Sequence, residues 1–193
     1  MRVLTFDVET THVTKESGGT TPLPYFGNRL VSIGYQWLGE STQYLCFYHA
    51  TEKATDDGFN IFQTALDLAD VVVGQNLKFD LCWIRDCGFK YDGHIYDTMV
   101  AEYVLSKGAG WPLNLEALAK KYSTIEKKKD LTKDYLKNGT TFYDIPWDIV
   151  REYGEADVAS TEQVALGQLT AFGTTFEELF DEKYFDTYPA FVA

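Results

Sequence analysis

The chain has 193 residues, 45% apolar and 24% charged, the length and balance of one globular domain with a full core rather than of a disordered or fibrous protein. No apolar run approaches the 18 residues of a membrane-spanning helix, and the first residues lack the basic region and apolar block of a signal peptide. A net charge of −12 weighs against broad affinity for nucleic acid, and 13 Tyr with 13 Phe make the chain rich in aromatics.

The first predicted element is a strand over Val3-Leu4-Thr5-Phe6, and it runs into the segment FDVET, residues 6–10. Asp7 and Glu9 stand two apart, so on a strand they share a face about 6.5–7 Å apart. Two carboxylates so held repel each other, and a divalent cation offsets that best. Alone, Asp-x-Glu is more often two solvated acids. A long Thr-, Gly- and Pro-containing loop follows to Arg29, of a length that is often functional. Residues 30–38 and 43–48 read as a hairpin around Gly39-Glu40, and residues 56–69 as an amphipathic helix. Val71-Val72-Val73 is a buried strand ended by Gly74. Asn76 has the chemistry of an N-cap for a helix through Cys87, stopped by Gly88. A short strand at residues 95–97 leads into a helix through Leu105, and Asn114 caps another to Tyr122. Pro146 marks the first turn of a long helix to about Thr170. A hairpin followed by βα units predicts a mixed sheet flanked by helices, in one domain.

Two further groupings join the acidic pair. In GQNLKFD, residues 74–80, Asn76 and Asp80 share a helix face at the carboxyl end of a buried strand; alone, this is more often a plain cap and a surface Asp. In REYGEADVAS, residues 151–160, Tyr153 and Asp157 share a face, and Gly154 costs about 1 kcal/mol relative to Ala unless something must approach closely there. Residues 120–137 hold seven Lys against three acids, a local +4 on a body of −16. They read equally as a phosphate-contacting stripe or a solvated connection. Cys46, Cys82 and Cys87 fit no structural zinc spacing; Cys82 and Cys87 read as small apolar fillers of one helix in a reducing compartment. A cytoplasmic setting is expected, including that of a virus-infected host cell.

FDVET, GQNLKFD and Tyr-x-x-x-Asp, in this order and with these gaps, resemble the three motifs of the DEDD 3′–5′ exonucleases, over about residues 2–170. The resemblance is nearest to the proofreading domain of family A DNA polymerases, helped by the runs YDTMVAEYVLS, LEALAKKY and EYGEADV. With Tyr153, and Glu152 where a sister branch carries His, the chain resembles the tyrosine branch. His12, His49 and His94 match no histidine-branch position and read as loop residues.

The resemblance implies a ribonuclease-H-like α/β fold with a mixed five-stranded sheet. It implies that Asp7, Glu9, Asp80 and Asp157 hold two divalent cations, Mg²⁺ or Mn²⁺. Asp7 would bridge both, Glu9 and Asp157 would hold the one that generates the nucleophile, and Asp80 would hold the second through water. Glu9 would also reach the terminal 3′-hydroxyl, and Tyr153 would orient the attacking water. Thr10, Val13, Asn76 and Phe79 would contact substrate, with Phe79 equally readable as core; Lys127, Lys128 and Lys129, on the local charge and not on the resemblance, are the phosphate-contact candidates of the lysine-rich segment. Asp97, in YDTM, is not a metal position and reads as structural.

The expected function is hydrolysis of single-stranded or frayed DNA 3′ ends to nucleoside 5′-monophosphates, by a protein without a polymerase domain. The alternatives are a ribonuclease D-like RNA exonuclease, and a catalytically idle fold that serves as an interaction module. The exonuclease domain is expected over residues 1–173, followed by an acidic, aromatic tail at residues 174–193. Phe176, Phe180 and Tyr184 recur at helical spacing there. The tail either docks on the body or tethers the nuclease to a replication protein.

Overall fold

The computed structural model describes residues 1–14, 20–122 and 132–181. Its centre is a five-stranded mixed sheet in the order β5-β4-β1-β6-β7. β1 (Val3–Thr10) pairs antiparallel with β4 (Leu30–Trp37), which pairs antiparallel with β5 (Gln43–Cys46). On its other side β1 pairs parallel with β6 (Val71–Gly74), which pairs parallel with β7 (His94–Asp97). A short ribbon, β2 (Val13–Thr14) with β3 (Thr20–Thr21), and a 3-10 turn at Pro24–Phe26 occupy the long loop after β1.

The alternation of β1 sorts its side chains between two cores. Leu4, Phe6 and Val8 face one core with Phe62 and Leu66 of α1 (Gly58–Leu68) and Trp83 and Ile84 of α2 (Lys78–Asp86). Val3 faces the other with Val71, Val73 and Tyr96. That side is covered by α3 (Thr98–Leu105) and the 26-residue α6 (Trp147–Phe172), through Ala101, Ala165 and Leu169. α4 (Leu115–Tyr122) packs Leu118 and Ala119 against Val164 of α6, and α5 (Thr132–Lys137) precedes α6. This is the predicted mixed five-stranded sheet with flanking helices.

α7 (Phe176–Phe180) follows Gly173, the left-handed cap of α6. Phe176, Leu179 and Phe180 are buried in the second core, and Phe180 stacks on His94 at 4.9 Å. The rest of the expected stripe, including Tyr184, lies outside the described residues. Among the described residues no helix is long and apolar enough to cross a membrane.

Several local expectations are corrected. His94 opens β7 rather than lying in a loop. Cys87 is exposed just past α2, so it fills no core space. Asn76 does not cap α2: it adopts a left-handed φ of 57°, and the helix begins two residues later. The amides of Asn76 and Leu77 donate instead to the Asp97 carboxylate, at 3.0 and 2.9 Å. Asp97 also caps α3 by accepting from Met99 N. One carboxylate thus ties the β6–α2 turn to the start of α3, the structural role expected of Asp97. Asn114 does cap its helix, with Oδ1 accepting from Ala117 N at 3.0 Å.

Candidate active site

Asp7 and Glu9 stand on the β1 face that α6 covers, opposite Gly34 and Ser32 of β4. The register shifts between Glu9 and Thr10, a bulge immediately after the acidic pair. Such bulges re-aim side chains and end regular pairing. Asp80 lies in the first turn of α2, which leaves the carboxyl end of β6 beside β1. Its side chain is 2% exposed, and Oδ1 accepts from Val8 N at 3.1 Å. Tyr153 and Asp157 come from one face of α6, and Asp157 is buried. Three segments remote in sequence therefore bring four carboxylates and a phenol to one end of the sheet.

Their proximity and burial shift their proton affinities. Burial, then the Asp157 charge, pushes the Asp7 carboxyl from 3.8 up to about 8. Burial, then Asp7, holds Asp80 well above the usual range, against the opposing bond from Val8 N. Burial, then Glu9, Asp157 and Asp7, raises the Tyr153 phenol, which also shares a hydrogen bond with Asp157. Phe142 packs beside the Tyr153 ring at 5.7 Å.

A second phenol faces the same group. Tyr44 of β5 is raised well above 10 by burial and by Glu9, Asp7 and Asp157. The sequence reading missed it. The available signals were Gly34 within a strand and Gly154 within a helix, each leaving space for a neighbouring ring.

The substrate candidates are spread around this centre. Thr10 is buried beside Glu9, and Val13 is half-buried on the small ribbon. Asn76 is exposed at the β6–α2 turn and lines a groove of about 770 Å³ with Tyr25, Lys78, Arg85 and Met99. The four carboxylates do not line that groove. Phe79 packs partly buried against the first core. Lys127, Lys128 and Lys129 lie outside the described residues.

A model of the 3′–5′ exonuclease family, of the DNA polymerase A type, matches residues 3–166. The chain belongs to the 3′–5′ exonuclease family. No curated protein matches its sequence significantly. Among solved structures, the exonuclease is similar to Brucella melitensis NrnC bound to pGG, at 13% identity and a TM-score of 0.61, covering 96% of this chain and 76% of the other. NrnC with bound Mg²⁺ is similar at 15% identity and a TM-score of 0.58, covering 91% and 77%. The family B DNA polymerase of Pyrobaculum calidifontis is similar at 18% identity and a TM-score of 0.57, covering 88% of this chain and 24% of the polymerase. At these identities the likeness is one of fold, and the exonuclease therefore shares the α/β architecture of these nucleases.

Among the described residues, no three His, Cys, Asp or Glu side chains already form a coordination shell. The donor set nevertheless has the chemistry of a hard-cation site. Its ligands are all oxygen, which favours Mg²⁺ or Mn²⁺ over zinc. Burial, and then the Asp157 charge, keep a proton on Asp7 that a bound cation would displace.

Proposed function

We propose that this exonuclease removes nucleotides from single-stranded or frayed DNA 3′ ends, with Asp7, Glu9, Asp80 and Asp157 holding two divalent cations. The observation that carries the reading is the meeting of Asp7 and Glu9 on β1 with Asp80 on α2 and Asp157 on α6, each raising or raised by its neighbours. Bound cations supply a nucleophile from water at neutral pH and offset charge on the phosphate and leaving oxygen.

The chain's own groups do the rest. Val8 N holds Asp80 in place from β1. Tyr153 is kept protonated by burial and by the carboxylates around it, so it positions the attacking water and does not take its proton. Thr10, next to Glu9 on β1, and Asn76, at the β6–α2 turn ahead of Asp80, serve as substrate contacts. Phe79 presents its accessible part to a terminal base, where stacking contributes roughly 1–3 kcal/mol without sequence preference. The preference for DNA rests on the polymerase-type family match. Likeness to NrnC, described with pGG and with Mg²⁺, supports a nucleic-acid substrate and a divalent cation while keeping RNA as the alternative.

The test is digestion of matched 5′-labelled DNA and RNA oligonucleotides, with Mg²⁺ and with chelator. Stepwise 3′ shortening that needs Mg²⁺, fastest on DNA, is expected. A mismatched 3′ end should be cut faster than a matched one, because unpairing costs a few kcal/mol and least at a mismatch. Faster cutting of RNA would replace the DNA assignment. Asp7→Ala with activity within tenfold of wild type would remove the site assignment altogether.

A further inference from the structure

One row of residues crosses three strands: Asp7 pairs with Gly34, and Gly34 pairs with Tyr44. Residues in such a row share a face of the sheet. Gly34 contributes no side chain, and the Tyr44 ring lies over it: a Cβ at position 34 would stand 2.9 Å from Tyr44 Cε2. Across the gap the same ring meets α6 at Gly154, where a Cβ would overlap its edge and its hydroxyl. Gly154 sits in the chain between Tyr153 and Asp157. Neither glycine has a positive φ, so space and not backbone freedom is what each provides.

The hydroxyl has two partners, one on the sheet and one on α6. It lies 2.9 Å from Ser32 Oγ and donates to the Val150 carbonyl at 3.3 Å. Its single proton goes to the carbonyl, so Ser32 donates to it. Ser32 is the residue opposite Glu9. In α6, the Val150 carbonyl is the acceptor for the amide of residue 154, and the missing side chain there leaves its second lone pair open to the phenol. Trp147, in the first turn of α6, packs against the ring at 5.6 Å.

We propose that Tyr44 is a positioning residue of the nuclease centre, a strut that sets the distance between the β1 carboxylates and the α6 segment bearing Tyr153 and Asp157. The inference rests on the exonuclease reading of the site. Its physical basis is leverage. The Tyr44 hydroxyl is held on one side by Ser32 of β4, the strand beside the one carrying Asp7 and Glu9. On the other side it is held by the Val150 carbonyl, about one turn from Tyr153 in α6. Removing it lets α6 settle toward Gly34, against which Val158 already packs.

The test compares kcat, oligonucleotide KM and the Mg²⁺ midpoint of activity for folded Tyr44→Phe, Tyr44→Leu and Gly154→Ala enzymes, with Asp7→Ala as control. A misplacement near 1 Å costs about 100-fold, so Tyr44→Leu should lower kcat by roughly 30- to 300-fold while KM changes by less than about threefold. The Mg²⁺ midpoint should rise. Tyr44→Phe keeps the ring and loses the ties, so a smaller loss of about 3- to 10-fold is expected. Gly154→Ala should reproduce the Tyr44→Leu signature, and combining it with Tyr44→Leu should recover activity relative to Gly154→Ala alone. A merely structural ring would lower the melting temperature and leave kcat per folded enzyme and the Mg²⁺ midpoint alone; that result overturns the inference. If Tyr44→Leu does not fold, wild-type values for both Tyr44→Phe and Gly154→Ala overturn it equally. An inactive Asp7→Ala beside unchanged Tyr44 variants sinks only the strut, whereas an active Asp7→Ala sinks the site on which it rests.

Discussion

The Asp7 carboxyl makes the metal-free protein sensitive to alkali in a way that one isosteric change should remove. Asp7 stands at about 8 in the folded chain and near 3.8 when unfolded. The folded protein therefore keeps a proton that the unfolded chain releases. Stability from this group is full below about pH 4 and is lost as pH rises through 8. At about 1.4 kcal/mol per pH unit, the loss between pH 5 and pH 9 has a ceiling near 4 kcal/mol. Asp7 is half-buried, not sealed, and solvent screens it, so about 2–3 kcal/mol is the expected size. For a domain of this length that is roughly 4–12 °C in melting temperature. Asp7→Asn carries no titrating group and should escape the loss. The assay is denaturant or thermal unfolding of both proteins in chelator at several pH values from 5 to 9, repeated with saturating Mg²⁺. The wild type should fall relative to Asp7→Asn as pH rises, and Mg²⁺ should close the gap. Parallel curves within about 0.5 kcal/mol would refute the view that burial and Asp157 hold on Asp7 a proton that a cation displaces.

Other expectations concern Tyr153, the lysine-rich segment and the C-terminal residues. Tyr153→Phe should slow turnover roughly 10- to 1,000-fold with oligonucleotide affinity nearly intact, as loss of one positioning contact predicts; an unchanged single-turnover rate would show that the water is held otherwise. Replacing Lys127, Lys128 and Lys129 with Ala should raise KM and reduce the log–log salt slope by about 0.7 per lost phosphate contact, and an unaltered slope would mark the segment as a solvated connection. Deleting residues 174–193 removes the buried Phe176, Leu179 and Phe180, each contributing about 1.5–3 kcal/mol, so a large drop in melting temperature is expected. Unchanged stability and activity, with loss of binding to a replication protein, would favour the tether instead.

Much of the fold was legible because its signals are local. Val71-Val72-Val73 before Gly74 reads as a buried strand whatever surrounds it, and Asn114 caps a helix through its own side chain. The acidic pair, Asp80 and the Tyr153–Asp157 pair were legible as spacings. The Asn76 error shows where local reading stops. Asn is a good cap by propensity, but a carboxylate 21 residues away supplies the acceptor. With its amide satisfied from outside, Asn76 is free to take the left-handed turn that aims α2, and with it Asp80, at β1.

Tyr44 makes the same point for the site itself. Its place beside Asp7 and Glu9 depends on β4 and β5 being in register, on residue 34 having no side chain, and on α6 crossing that row at residue 154. None of these is a spacing along the chain. Gly154 alone, in the middle of a 26-residue helix, signals that something must come close, and it cannot say what. The cost of a helical glycine, about 1 kcal/mol relative to Ala, is offset here by the ring and hydroxyl contacts it admits. The spacing Tyr-x-x-x-Asp thus holds, between Tyr153 and Asp157, a position where the helix must be bare for the Tyr44 ring to reach it.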